Sequence, residues 1–284
     1  MLVSLATIES HLWESANILR GPVDAADFKT YIFPLLFFKR ICDVWDEEYQ
    51  EIVDETGDEQ LAWFPESHRF QIPEDCHWND VRTKASNVGT ALQRAMREIE
   101  KANPDTLYGV FGDAVWSNKD RLSDALLKDL IEHFSKLPFG NKNVNSDLLG
   151  DAYEYLIKKF ADATNKKAGE FYTPHEVSLL MSEIVAYHLK DREEIKIYDP
   201  TSGSGSLLIN IGQCAARYMG NGNNIKYYAQ ELKENTYNLT RMNLVMRGIL
   251  PDNIVTRNGD TLEEDWPYFE ENDPVNTYDP LFVD

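Results

Sequence analysis

The spacing of apolar side chains along the chain changes near residue 163. Before that point, apolar residues recur every three or four positions, the pattern of helices with one buried face. The predicted helices are 7–19, a second one that Asp24 caps and that runs toward Val53, 84–101, 121–136 and 146–162. The stretch 54–82 lacks this period and is rich in Trp, Pro and His, which predicts irregular structure.

After residue 163, short apolar runs alternate with helical stretches. The apolar runs are 195–199, 225–231, 253–258 and 281–284, and the helical stretches are about 174–189, 206–218 and 234–247. Strands that alternate with helices predict a parallel sheet with right-handed crossovers. We therefore expect an α + α/β protein, with an N-terminal helical domain at 1–162 and a Rossmann-like domain at 163–284.

The charge of the chain is strongly negative. It has 48 acidic and 28 basic residues, a net charge of −20. Such a surface repels nucleic acid and anionic membranes. If this protein works on DNA, a basic partner must hold the DNA; the alternative is that the charge only serves solubility.

The cysteines and the N-terminus indicate the compartment. Cys42, Cys76 and Cys214 lie far apart without CxxC or Cys/His metal spacing, which predicts reduced structural thiols and no metal site. The N-terminus has no basic segment and reaches Glu9 early, unlike a signal peptide. The longest apolar run, 31–38, is too short to span a bilayer. We expect a cytoplasmic protein.

The sequence DPTSGSGSLL begins at residue 199, between the first predicted strand and its helix. In an open α/β sheet, ligands bind at the carboxyl ends of strands. Gly203 and Gly205 permit unusual backbone angles and let a ligand approach the main chain. Ser204 and Ser206 add small hydroxyl groups, and the helix supplies unpaired N–H groups. The turn is therefore a candidate ligand site.

The charge of Asp199 argues against a phosphate ligand at this turn. The phosphate-binding pattern G-x-G-x-x-G is also broken, because Leu208 stands where the third glycine belongs, and the P-loop lysine is missing. S-adenosylmethionine has a cationic amino group and no phosphate, so it suits the turn better.

Two more acids follow the next two predicted strands. Glu231 ends the second strand, where a carboxylate can accept hydrogen bonds from both ribose hydroxyls. Asp260, in NGDTL after the third strand, can accept one from an adenine amino group. Each acid alone also suits a solvated loop, but three acids after three successive strands favour a cofactor pocket.

The segment 169–177, GEFYTPHEV, predicts a helix start. Thr173 is a good N-cap, Pro174 suits the first helical position, and Glu176 completes a capping box. A helix N-terminus also binds carboxylates. The segment can therefore begin a helix and line a ligand site at the same time.

In this order and spacing, the motifs GEFYTP, DPTSGSGSLL, AQE and NGDTL resemble those of the methyltransferases that act on adenine N6 in DNA. The run 147–177 is similar to the modification (M) subunits of type I restriction–modification systems, and the helical first half fits those subunits too. The resemblance covers essentially the whole chain.

The resemblance implies an S-adenosylmethionine-dependent methyltransferase domain and a cofactor role for each residue that matches a motif. The methionine end of the cofactor is implied to lie against Glu170, Phe171, Tyr172, Thr173, Pro174 and His175. The cofactor turn is implied to consist of Asp199, Gly203, Ser204, Gly205 and Ser206, with Glu231 at the ribose and Asp260 near the adenine.

The resemblance also implies partners. Enzymes of the family combine two M subunits with one DNA-specificity subunit, and a restriction subunit can join them. The helical domain would then serve subunit and DNA interaction. The negative charge of this chain fits a partner that supplies most of the basic DNA-binding surface.

The chain departs from the family at the catalytic motif Asn-Pro-Pro-aromatic, which follows the fourth strand. One Asn-Pro pair occurs, Asn103-Pro104, in a helical region and without a second proline. We therefore assign no catalytic residue. We expect a chain truncated as the fourth strand opens, at 281–284, which does not methylate DNA by itself.

Two other functions stay open on the residues alone. Methyltransferases for proteins or small molecules share the cofactor turn, although GEFYTP and the helical first half weigh against them. The other possibility is a non-catalytic acidic assembly module whose cofactor pocket is vestigial.

Overall fold

The computed structural model describes residues 3–144, 146–163, 173, 175–220, 222–249 and 251–263. The chain forms two compact units, Met1–Thr164 and Asn165–Asp284. Among the described residues, no helix combines the length and the apolar character needed to cross a membrane.

The described part of the first unit is helical. Its helices are α1 Leu5–Leu19, α2 Phe28–Thr56, α3 Glu59–Ala62, α4 Trp78–Arg82, α5 Val88–Ala102, α6 Pro104–Leu107, α7 Asp124–Phe134 and α8 Ser146–Ala163. The α1 helix begins where Ser4 Oγ accepts a hydrogen bond from the N–H of Thr7 (3.2 Å). Its apolar face, Ile8, Leu12 and Leu19, is fully buried, as the helical period predicts.

The prediction of irregular structure over 54–82 is wrong in part, because α3 and α4 lie there. Local caps make these short helices. Asp58 Oδ1 accepts from the N–H groups of Gln60 (2.9 Å) and Leu61 (3.1 Å), and His77 and Asp80 form a capping box. The prediction that Asp24 caps α2 is also wrong: a 3-10 turn, Ala25–Asp27, precedes α2, and the Asp24 side chain makes no capping bond.

The core of the first unit is aromatic. Phe33, Phe37 and Phe38 of α2 are fully buried. Phe160 of α8 packs on Phe28 and Phe33, with ring centroids 6.0 and 5.9 Å apart. These contacts fasten α8 to the helical unit.

The described part of the second unit has a three-stranded parallel sheet. Its elements are α9 His175–Leu189, β1 Ile195–Asp199, α10 Ser206–Met219, β2 Ile225–Glu231, α11 Glu234–Met246 and β3 Ile254–Asn258. The strand order is β1-β2-β3. The predicted α + α/β class is confirmed, and β1 and β2 have the predicted bounds. The strand predicted at 281–284 lies outside the described residues.

The α10 helix packs closely against the sheet. A Cβ atom added at Gly212 would lie 2.2 Å from the Tyr227 hydroxyl, so only glycine allows this approach. Burial raises the pKa of Tyr227 to about 12, which keeps the phenol neutral beneath the helix.

The α9 helix lies parallel to α10. Asn210 Nδ2 donates to Ser178 Oγ (2.9 Å) in the first turns of both helices, and Tyr187 meets Tyr218 near their last turns (6.2 Å between ring centroids). The N-termini of α9 and α10 therefore lie at the same end of the unit.

Candidate functional site

The carboxyl ends of three parallel strands meet at one edge of the sheet. Asp199, the last residue of β1, lies beside Ala229 of β2, and Glu231, the last residue of β2, lies beside Asn258 of β3. The β2 strand therefore reaches two residues beyond β1. Its end forms one wall for the turn that leaves β1.

The turn after β1 is held by hydrogen bonds to its own residues and to β2. Asp199, only 4% exposed, accepts a bond at Oδ1 from the N–H of Thr201 (3.0 Å). The N–H of Ser202 donates to the carbonyl of Gln230 (2.9 Å). The turn thus continues along β2 instead of leaving the sheet.

Two glycines allow the backbone to pass from the turn into α10. Gly203 has φ +56° and Gly205 has φ +79°, a left-handed backbone that side chains disfavour. Gly205 is the N-cap of α10, where no side chain makes a capping bond among the described residues. The first N–H groups of α10 and its positive dipole end therefore suit an anionic group of a ligand.

Glu231 joins the turn to the end of β2. Its Oε2 accepts from the N–H of Gly203 (3.1 Å), and its Oε1 accepts from the N–H of Lys233 (2.9 Å). A carboxylate has about four lone-pair sites, so two can still accept hydroxyl donors. The side chain is partly exposed, as an acceptor for a ligand must be.

The segment after β3 reaches the same place. The N–H of Gly259 donates to the carbonyl of Glu231 (3.2 Å), and Thr261 Oγ1 donates to the carbonyl of Pro200 (2.5 Å). Asp260, partly buried, accepts at Oδ1 from the N–H of Leu262 (2.9 Å). Direct bonds therefore connect all three strand-end loops.

The two serines of the turn face inward. Ser204 is 1% exposed and Ser206 is 5% exposed, and their hydroxyls lie 2.7 Å apart. One of these hydroxyls therefore donates a hydrogen bond to the other. Their assignment as ligand contacts stays a prediction.

Thr173 and His175 lie where α9 begins. Thr173 is partly buried, and His175 is the first residue of the helix. Because α9 and α10 are parallel, the start of α9 lies at the same end as the turn after β1. Glu170, Phe171, Tyr172, Pro174 and the side chain of His175 lie outside the described residues. The capping box of Thr173 and Glu176 stays a prediction.

Sequence reasoning missed two residues of α11 that touch the turn. Thr240 Oγ1 donates to the carbonyl of Gly203 (2.8 Å), and Asn243 Nδ2 donates to the carbonyl of Ser204 (3.1 Å). Thr and Asn are poor helix formers, yet both are fully buried inside α11. Polar residues on the buried face of a helix were the available signal.

Models of two protein families match the chain. "N-6 DNA Methylase" matches residues 144–280, and "HsdM N-terminal domain" matches residues 8–134. The methylase model includes α8, although α8 packs in the first unit. The predicted division at 162/163 stays a prediction.

Curated relatives are methylase subunits of type I restriction enzymes. The MpnII subunit of Mycoplasma pneumoniae is 29% identical over 90% of this chain and 52% of its own length. The MjaIX subunit of Methanocaldococcus jannaschii is 25% identical over 84% of this chain and 45% of its own length. The chain spans about half the length of these relatives.

Solved structures show the same fold. A type I restriction–modification methyltransferase subunit from Streptococcus thermophilus matches with a TM-score of 0.78 and 29% identity, over 95% of this chain and 61% of that one. A modification subunit of a type I restriction enzyme from Vibrio vulnificus matches with a TM-score of 0.63 at 17% identity, over 92% of this chain and 57% of that one. The second match is a likeness of fold alone.

Proposed function

Because this chain belongs to the family of type I restriction–modification methylase subunits, we propose that it is the cofactor-binding part of a DNA adenine-N6 methyltransferase subunit. The family implies the use of a methyl donor. The observation that carries the proposal is the bond from the N–H of Gly203 to Glu231, which joins the turn after β1 to the acid that ends β2.

We propose S-adenosylmethionine as the donor. When bound, it supplies a methyl group from its sulfonium centre. The donors and acceptors at the site suit its parts: the uncapped N-terminus of α10 suits an anionic group, and Glu231 has acceptor sites left for ribose hydroxyls. Asp199 and Asp260 add negative charge that suits its cationic and amino groups.

Gly205 fixes the place where α10 begins. A side chain at Gly205 would be strained in the left-handed backbone conformation. Its Cβ would also lie 3.1 Å from Thr240 Cγ2. Both effects would move the start of α10. The glycine therefore keeps the first N–H groups of α10 in the position from which we propose that they bind the ligand.

We propose that this subunit works with a DNA-specificity subunit and a second copy of the M subunit, and that a restriction subunit can join. The net charge of −20 supports this arrangement, since such a chain does not attract DNA by its overall charge. The specificity subunit would hold the DNA and choose the site. The methylase relatives do not favour an assembly module or a methyltransferase for other substrates.

The test is calorimetric titration of S-adenosylmethionine into this chain and three variants. We expect wild-type binding, at least about tenfold weaker binding for Asp199→Ala and Glu231→Ala, and unchanged binding for Asp252→Ala. Asp252 is an exposed acid before β3, at the opposite edge of the sheet. A folded chain that gives no binding heat would overturn the cofactor assignment.

Substrate identity needs a separate measurement. A complete methylase subunit that contains this chain, assembled with the specificity subunit of its system, is incubated with DNA and labelled S-adenosylmethionine. We expect label on adenine N6 in DNA. Label on protein, or on cytosine, would overturn the proposed substrate.

A further inference from the structure

Two buried polar side chains of α11 donate hydrogen bonds to the turn after β1. Thr240 and Asn243 are both 0% exposed and lie one helical turn apart. Thr240 Oγ1 donates to the carbonyl of Gly203 (2.8 Å), and Asn243 Nδ2 donates to the carbonyl of Ser204 (3.1 Å). Successive carbonyls of the turn are therefore bound to one helix.

We propose that Thr240 and Asn243 are positioning residues that set the conformation of the Gly203–Gly205 turn before the cofactor arrives. We name this pair the α11 latch. The inference deepens the proposed function and rests on it, since the turn is the proposed cofactor site. The latch acts through the main chain and touches no reacting atom.

The direction of each peptide explains what the latch does. In a trans peptide, the carbonyl and the following N–H point in opposite directions. Because Thr240 draws the Gly203 carbonyl toward α11, the N–H of Ser204 points away from α11. The latch thereby orients a main-chain donor, which a turn of glycines could not do by its own preferences.

The latch also acts on Glu231. The N–H of Gly203 donates to Glu231 Oε2 (3.1 Å), and the carbonyl of the same residue accepts from Thr240. Gly203 is thus held from both sides. Loss of the Thr240 hydroxyl would remove its bond to the Gly203 carbonyl. The N–H of Gly203, which donates to Glu231, would then no longer be held in one position.

Shape supports the same role. Thr240 Cγ2 lies 3.1 Å from where a Cβ of Gly205 would stand, so its methyl group fills the space beneath that glycine. The Thr240 hydroxyl also lies 3.3 Å from Ser202 Oγ. One side chain therefore contacts Ser202, Gly203 and Gly205 of the turn.

The orientation of Asn243 follows from its partner. Its Nδ2 faces the Ser204 carbonyl, and its Oδ1 is buried without a hydrogen-bond partner in the described part of the chain. A donor is therefore what this position needs. Asp has nearly the same shape but offers only acceptors when ionised, so it would face the carbonyl with negative charge.

The test uses matched variants of the chain. Thr240→Val keeps the shape and removes the hydroxyl, while Thr240→Ser keeps the hydroxyl. Asn243→Asp keeps the shape and, at a pH at which its carboxyl is ionised, removes the donor. Thr236→Val is the control, because Thr236 is a buried threonine one turn earlier in α11.

Amide hydrogen exchange without cofactor is the first measurement. We expect Thr240→Val and Asn243→Asp to speed exchange at 203–206 about tenfold, with the rest of α10 and the strands unchanged. Thr240→Ser and Thr236→Val should match the wild type. Unchanged exchange at 203–206, an equal increase throughout the unit, or a failure of Thr240→Ser to restore protection would overturn the latch.

Titration of S-adenosylmethionine is the second measurement. We expect the two variants with fast turn exchange to bind about tenfold more weakly, and Thr240→Ser to bind as the wild type does. Fast exchange with unchanged affinity would overturn the positioning role. A wild-type chain that binds no cofactor would count against the proposed function, while the exchange result would still decide whether the latch holds the turn.

Discussion

The N–H of Gly203 donates a hydrogen bond of 3.1 Å to Glu231 Oε2. Gly203 lies in the turn after β1 and Glu231 is the last residue of β2, 28 positions later. The other oxygen of the carboxylate accepts from the N–H of Lys233 (2.9 Å). Glu231 therefore organises the edge of the sheet before it meets any ligand, and changes there affect stability as well as binding.

Glu231→Gln is expected to destabilise the second unit by about 1 kcal/mol, since an amide offers one acceptor where the carboxylate uses two, and its NH₂ group would face a backbone N–H. Denaturant unfolding, followed by a probe in the second unit, measures this. Asp252→Asn removes an exposed charge in the same unit and should cost nothing measurable. Equal stability of both variants would contradict the prediction.

Gly205→Ala is expected to cost more than Gly220→Ala. Both glycines have positive φ, +79° and +69°. At Gly220 an added Cβ meets nothing within 4 Å, so only backbone strain of about 1 kcal/mol applies. At Gly205 the Cβ also meets Thr240 Cγ2 at 3.1 Å, which adds roughly 1–3 kcal/mol. Equal unfolding free energies would show that Thr240 yields to the new methyl group.

Gly212→Ala is expected to loosen the packing of α10 on β2, because its Cβ would lie 2.2 Å from the Tyr227 hydroxyl. We expect a loss of roughly 1–3 kcal/mol in the free energy of unfolding. Tyr227→Phe in the same chain removes the atom nearest to the new Cβ, so the double variant should regain part of the loss. Strictly additive effects in a double-mutant cycle would refute the proposed contact.

His11 is expected to make the first unit less stable in acid. Its ring stacks on the ring of His133, with the centroids 3.9 Å apart. Burial lowers the pKa of His11 from 6.5 to about 4, and the nearby charges of His133 and Lys136 add to this effect. The folded state thus binds a proton more weakly than the unfolded state. The stability contribution is complete above pH 6.5 and is lost as the pH falls toward 4.

Unfolding of wild type and His11→Gln at pH 7.5 and pH 4.5 tests this. Groups that do not interact with His11 titrate alike in both proteins, so their contribution cancels in the difference. The wild type should lose more stability than the variant between the two pH values. An equal loss in both would mean that His11 does not titrate as its surroundings require.

Much of the second unit was predictable because its signals are local. The β1 and β2 strands are continuous apolar runs bounded by polar turns, and their bounds were predicted correctly. Gly203 and Gly205 indicated backbone angles that other residues resist, and both have a positive φ. By contrast, α3 and α4 depend on single capping side chains, Asp58 and His77, without an apolar period to reveal them.

The sequence by itself determined the order of the long helices and of β1, β2 and β3, the glycine turn and the acids at the strand ends, because these depend on neighbours within a few residues. The tertiary structure decided which groups meet. Thr240 reaches a carbonyl 37 positions away, and the hydroxyls of Ser204 and Ser206 turn toward each other. Such contacts depend on how α11 is rotated and placed against the sheet, which is set by packing across the whole unit and leaves no local pattern in the chain.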